Sequence, residues 1–248
     1  MRSFLTASIV TSTALLTACG GSSDSSTSLP MVNTTQTVSI QFAAQANGKD
    51  AQCGAVNEIA NLGTTVKKAE IQDLRFYVAG LELVNDKGQA VAVTLDKNVN
   101  QDFGVALLDF EDATGACTGD AKLNTAITGK IPEGTYTGIK FTLGVPDTFV
   151  DSSGNTIVLN HSNTTATPAP LDVAAMAWSW QGGRKFAKIE VKPVGGVINQ
   201  KGTPETTDDA TVSGWVVHIG ATGCTGTDTT GYSCTNPNLA PVSLPSFN

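Results

Sequence analysis

Between residue 37 and the C-terminus the sequence never sustains the apolar period of a long amphipathic helix. Apolar and polar residues instead alternate over short runs, each closed by Gly, Pro, Asn or Asp. Residues 38–42 alternate cleanly, and from Leu74 to Val84 the apolar spacing is mostly two. Asn85-Asp-Lys-Gly88 has turn composition, so residues 90–95 are expected to pair back as a hairpin. Further short runs cover 105–110, 127–131, 136–145, 156–159, 186–191 and 211–219, and the Pro-punctuated tail from Thr235 reads as extended. Only 172–177 offers a helical turn or two. The pattern predicts an all-β domain, an antiparallel β-sandwich with long loops.

The first residues do not belong to that pattern. Arg2, a largely apolar or small stretch and Leu16-Thr17-Ala18-Cys19 together resemble a bacterial lipobox. Residues 1–18 are therefore expected to be a lipoprotein signal peptide, with Cys19 the lipidated residue. The Gly- and Ser-rich segment that follows reads as a flexible tether over 19–36, leaving 37–248 as a single β domain. Gly20 rather than Asp after Cys19 favours the outer membrane of a bacterial envelope, by resemblance to the sorting rule. A net charge of −7 argues against nucleic acid and against a polybasic membrane patch.

Without Cys19, four cysteines remain, which in an exported chain implies two disulfides. Cys224 and Cys234 bracket a compact Gly-, Thr- and Tyr-containing loop and are expected to pair; Cys53 with Cys117 follows by elimination. No closely spaced CxxC pair supports zinc.

Enzyme motifs are absent: there is no Gly-x-Ser-x-Gly elbow, P-loop or dinucleotide fingerprint, so no enzymatic reading has residues behind it. Glu111-Asp112 and Asp208-Asp209 read as solvated loop carboxylates. The loop from Asp147 to Asn155 has oxygen ligands enough for calcium but not the EF-hand spacing. The two histidines, His161 and His218, stand out. Imidazole is a common ligand for copper, zinc and iron, and Met176 would add a soft thioether favouring Cu(I). The bland alternative makes His161 a loop residue and His218 a hydrogen-bonded, partly buried one. Trp178 and Trp180, read as alternating on a strand, would share a face that fills a core, carries a glycan or takes part in redox chemistry.

The motifs form a recognisable series. Asp73-Leu-Arg-Phe-Tyr-Val78, Val105-Ala-Leu-Leu-Asp-Phe-Glu111 and Phe141-Thr-Leu-Gly-Val-Pro146 come first. Leu159-Asn-His161, Pro170-Leu171, Met176-Ala-Trp-Ser-Trp-Gln181, Lys185-Phe186, His218-Ile-Gly220, Gly223-Cys224 and Cys234 follow. In this order they resemble the metallo-mystery pair four-Cys motif family, the MbnP-like periplasmic copper proteins, from about residue 37 onward. The resemblance implies a copper-binding, mostly β protein paired with a di-haem cytochrome c peroxidase-like enzyme. That partner would oxidise a tryptophan to kynurenine, on which copper binding depends. His161 and His218 would be the ligands, and Trp178 or Trp180, with Trp215 a weaker third, the modified residue. One departure stands out: Gly183-Arg-Lys-Phe186 replaces the family's Gly-Tyr-Lys-Phe. The competing reading is a metal-free extracytoplasmic binding or adhesion module using the Trp178/Trp180 face.

Overall fold

In a computed structural model, the structure describes residues 34–62, 66–159, 167–199, 207, 209–227 and 229–246. His161, Cys19 and Asp208 lie outside the described residues, as do the expected signal segment and nearly all of the tether. The described chain is almost entirely strand, the exception being a 3-10 turn at Ala174–Met176. None of its helices is long and apolar enough to cross a membrane.

The strand Val66–Asn85 is the axis of the molecule. Its length lets it pair with several partners along each edge. One edge takes Lys185–Pro193 and then Tyr136–Leu143, while the other takes Val56–Leu62, Val105–Asp109 and Ala90–Ala92. Trp215–Gly220 and Ala240–Leu244 extend the sheet outward to nine strands. A second sheet of Thr35–Gln41, Ala126–Pro132 and Thr94–Leu95 packs on one face. Between the two sheets lie Ile40, Ile127 and Ile131 from the small sheet and Val78, Leu83, Leu108 and Ile139 from the large one. This is the expected antiparallel β-sandwich.

The period along the axial strand changes hand at Gly80. Here φ is +60°, and Gly80 and Leu81 together oppose Phe141. Such a bulge inverts the in/out order, and glycine accepts the left-handed backbone it needs. Val78 faces the sandwich core before the bulge, and Leu81 and Leu83 face it afterwards. Tyr77 and Ala79 face a second core with Leu107, Leu159, Leu171, Met176 and Phe186.

Both disulfides are formed as expected, Cys53–Cys117 and Cys224–Cys234. Four sequence expectations change. Residues 211–219 are two strands, Ala210–Val212 and Trp215–Gly220, and the segment around Cys224 is a hairpin, Thr222–Thr227 with Gly231–Asn236, rather than a loop. Trp178 and Trp180 lie outside the strands, in a bend after the 3-10 turn that the isolated Ala177–Arg184 bridge closes. The fourth concerns Glu111, expected as a solvated loop carboxylate but fully buried.

Candidate metal centre

Segment 167–176 is tied to the second core before the chain reaches the tryptophans. Tyr77 donates its hydroxyl to the Pro170 carbonyl at 2.7 Å, and Leu171 and Met176 are both fully buried. Met176 thus sits in the apolar core, where a flexible thioether fills space. From that anchor Trp178 reaches the end of Trp215–Gly220. Its Nε1–H donates to the Ala221 carbonyl at 2.7 Å, and Gln181 Nε2 donates to the same oxygen at 3.3 Å. Gly220 permits the approach, because a Cβ there would lie 2.8 Å from Trp178 Cζ2 and collide with the Arg184 carbonyl.

The result is a row of rings. Trp178 meets His218 edge-on with centroids 6.5 Å apart, and Trp180 at 5.6 Å, tilted by 52°. Trp180 is 69% exposed. Lys185 places its ammonium 5.7 Å from the Trp178 ring centre, a cation–π contact. Burial, with Lys188 close by, holds the Lys185 pKa below its ordinary value. Trp215 is separate: it packs against Ala69 and Val191 at the other end of its strand.

His218 stands opposite Lys188 in the antiparallel pairing, and Glu190 lies diagonally across. His218 Nε2 is 2.7 Å from Glu190 Oε1, and Lys188 Nζ is 3.2 Å from the same oxygen. Lys188 also reaches Asp73 Oδ2 at 2.5 Å, and Arg75 binds Asp73 through Nε and Nη2, with Nε–Oδ1 at 2.8 Å. A continuous line of charge runs from the solvent-facing imidazole into the interior. Alternation alone hides this line, since Asp73 and Arg75 occupy the polar slots of an alternating strand that would ordinarily face water.

The remaining sequence candidates fall elsewhere. Asp151 accepts from Ser153 N, Asn155 N and Asn155 Nδ2, so its oxygens cap the turn of its own hairpin. Those bonds hold its pKa below the ordinary value. Among the described residues the only three-ligand cluster is Cys53, Asp112 and Cys117, and its two sulfurs are joined to each other. Arg184, where the resembled family has Tyr, is fully buried and donates from Nη2 to Thr167 Oγ1 at 3.1 Å.

The Cys224–Cys234 hairpin braces the tryptophan loop, because Tyr232 packs directly on Gly182, where a Cβ would collide with its ring. Replacing both cysteines by serine is expected to cost about 2–3 kcal/mol, as loop closure over a short segment predicts. The Trp178 fluorescence environment should change with it; an unchanged emission spectrum and unfolding midpoint would refute the bracing role.

Fold and site define a disulfide-stapled, all-β sandwich with an indole–imidazole pair at the margin of its central sheet. The chain belongs to the MbnP family, whose model matches residues 35–248. It is similar to the solved structure of MbnP from Methylosinus trichosporium, at 40% identity and a TM-score of 0.72 over 87% of this chain and 73% of that one. A search among curated proteins finds no match. The family is the one the motif order resembles.

Proposed function

We propose that this chain is an exported, non-enzymatic copper-binding lipoprotein, held through Cys19 after removal of 1–18, with the tether 19–36 spacing a β domain over 37–248 from the outer membrane. His218 and His161 supply imidazoles, and a kynurenine made from Trp178 completes the site. Its role is copper acquisition, storage or delivery. The observation that carries this reading is Trp178 set edge-on to His218 with its Nε1–H fixed by the Ala221 carbonyl. Family membership supports a copper-associated role.

The donor chemistry fits copper only after the ring opens. An intact indole carries a proton on Nε1 and here donates it, so it has no lone pair to give. Oxidative ring opening breaks the Cγ–Cδ1 bond, making Cγ a ketone carbonyl and leaving Cδ1 as a formyl group on Nε1; water then cleaves the Cδ1–Nε1 bond, so that Cδ1 leaves as formate and Nε1 remains on the benzene ring as an amine. The change is a four-electron oxidation, so two equivalents of peroxide are reduced at the haems of a di-haem cytochrome c peroxidase-like partner, and tryptophan plus two peroxides gives kynurenine, formate and one net water. Copper bound there would be held by two imidazoles and this new donor, a set that suits copper. This chain's residues hold the indole still, through Ala221 and Gly220, and bring Trp180 to the surface, where an oxidising partner can reach the ring pair.

The decisive measurement is peptide mass spectrometry of protein from its native host. The peptide containing Trp178 is expected to have exchanged one carbon for one oxygen, and the protein to bind stoichiometric Cu(I). His218→Ala should abolish stoichiometric binding while leaving the fold intact. Unmodified tryptophans and no copper uptake would remove the proposal. The metal-free module rests on the exposure of Trp180. Its two rings are tilted and share no plane, which disfavours a flat glycan platform. It predicts ligand binding unaffected by alanine at both histidines.

A further inference from the structure

We infer that Glu190 is a positioning residue that holds the His218 ring by Nε2, so that Nδ1 is the nitrogen left to bind the metal. The inference rests on the copper reading above, with His218 as a ligand.

A histidine beside a glutamate at a sheet surface is ordinarily a weak, mobile pair. Here the pair is the outer end of an anchored line. Side-chain exposure falls from 27% at His218 to 19% at Glu190, 10% at Lys188 and zero at Asp73. Glu190 is held by Lys188, Lys188 by Asp73, and Asp73 by Nε and Nη2 of Arg75. The antiparallel register sets Glu190 opposite Val216, two residues from His218 on its strand. The carboxylate is therefore placed by backbone and by buried partners, not by the histidine.

An ionised carboxylate only accepts hydrogen bonds, so the ring nitrogen facing it at 2.7 Å must carry the proton. The neutral ring then has its lone pair on Nδ1, which no hydrogen bond among the described residues engages. A metal-binding imidazole backed by a carboxylate has a fixed orientation and raised basicity, and loss of the carboxylate typically lowers metal affinity about 10–100-fold. Lys188 tempers Glu190 by sharing the same oxygen, which keeps the contact a hydrogen bond rather than a second metal ligand.

Nitrogen-15 NMR of the mature full-length protein tests this, using material from the native host and Cu(I) alone as the probe, which is diamagnetic. Metal-free wild type should show a hydrogen-bonded Nε2–H on His218. Adding Cu(I) should move the Nδ1 resonance and leave Nε2 protonated. Glu190→Ala should lose the protected Nε2–H signal and bind Cu(I) about 10–100-fold more weakly in chelator competition. Glu190→Gln, which keeps the size and one acceptor, should retain the signal and fall between the two. Copper on Nε2 with the proton on Nδ1 overturns the inference and leaves the copper reading standing. So does a Glu190→Ala protein with unchanged affinity and an unchanged Nε2–H signal. A wild type that binds no stoichiometric Cu(I) overturns both.

Discussion

Asp73→Asn is expected to destabilise the protein by about 3–5 kcal/mol, the cost of breaking a buried ion pair from one side. Asp73 is wholly buried, and its carboxylate is the only bridge between Arg75 and Lys188 among the described contacts. Those two cations keep only 7% and 10% of their side chains exposed, so asparagine leaves two buried positive charges with a neutral neighbour. Arg75 retains Glu111 at 3.8 Å, a longer contact that compensates little. The damage should also travel outward, because Lys188 would no longer be drawn inward and Glu190 would lose its fixed partner. Urea unfolding read by tryptophan fluorescence measures the first effect, and the His218 imidazole NMR signals the second. Replacing Asp73, Arg75 and Lys188 together by apolar residues of similar volume should restore most of the lost stability but not the His218 orientation. An Asp73→Asn protein within about 1 kcal/mol of wild type would show that the line of charge is ornamental.

This line also marks the limit of what could be read from the residues alone. Alternation in 136–143 was legible because Thr137 and Lys140 do take exposed positions, whereas in 186–191 Lys188 takes a buried position and Ile189 a half-buried one. It fails over 71–79, where Asp73 and Arg75 take the buried slots and Leu74 and Phe76 the half-buried ones. A polar residue in a strand looks the same whether water or a partner charge satisfies it, and the partners Lys188 and Glu111 come from distant sequence. The Gly80 bulge adds a second ambiguity, since one extra residue swaps the two faces. Trp178 and Trp180 mimic a strand by spacing, but Gly182 and Gly183, on which Tyr232 and the Ala177–Arg184 bridge depend, make that segment a bend. The histidine and the tryptophans could be singled out by residue type. Their meeting could not, because Glu190 and Ala221 reach them across strand pairings that only the register specifies.

The buried end of the same line predicts an unusual response to pH. Glu111 is fully buried, and neither of its oxygens has a hydrogen-bond partner. Gly119 lies against its carboxylate so closely that a Cβ there would collide with it. Burial, then the charge of Asp109, pushes its pKa up from 4.5 to about 7, against the pull of Arg75. Asp109 moves the same way, to about 6, for the same leading reason. A carboxyl that holds its proton more tightly folded than unfolded stabilises the fold fully below its unfolded pKa and loses that contribution as pH rises through the folded value. Stability should therefore fall between about pH 4.5 and 7 and level off above, by about 3 kcal/mol for Glu111 at 1.36 kcal/mol per unit. Asp109 and Glu111 act on each other, so the slope belongs to the pair rather than to either residue. Asp112 and Asp151, whose pKa values are lowered by local hydrogen bonds, work in the opposite sense but only in more acidic solution. Urea unfolding at a series of pH values should find the protein more stable at pH 5 than at pH 7.5, and Glu111→Gln should flatten most of that slope. A Glu111→Gln profile parallel to wild type would place the titration elsewhere. With the slope assigned to Glu111, a fold that loosens toward neutral pH does so at the core end of the line that orders His218, which makes imidazole order at pH 5 and 7.5 the natural companion measurement.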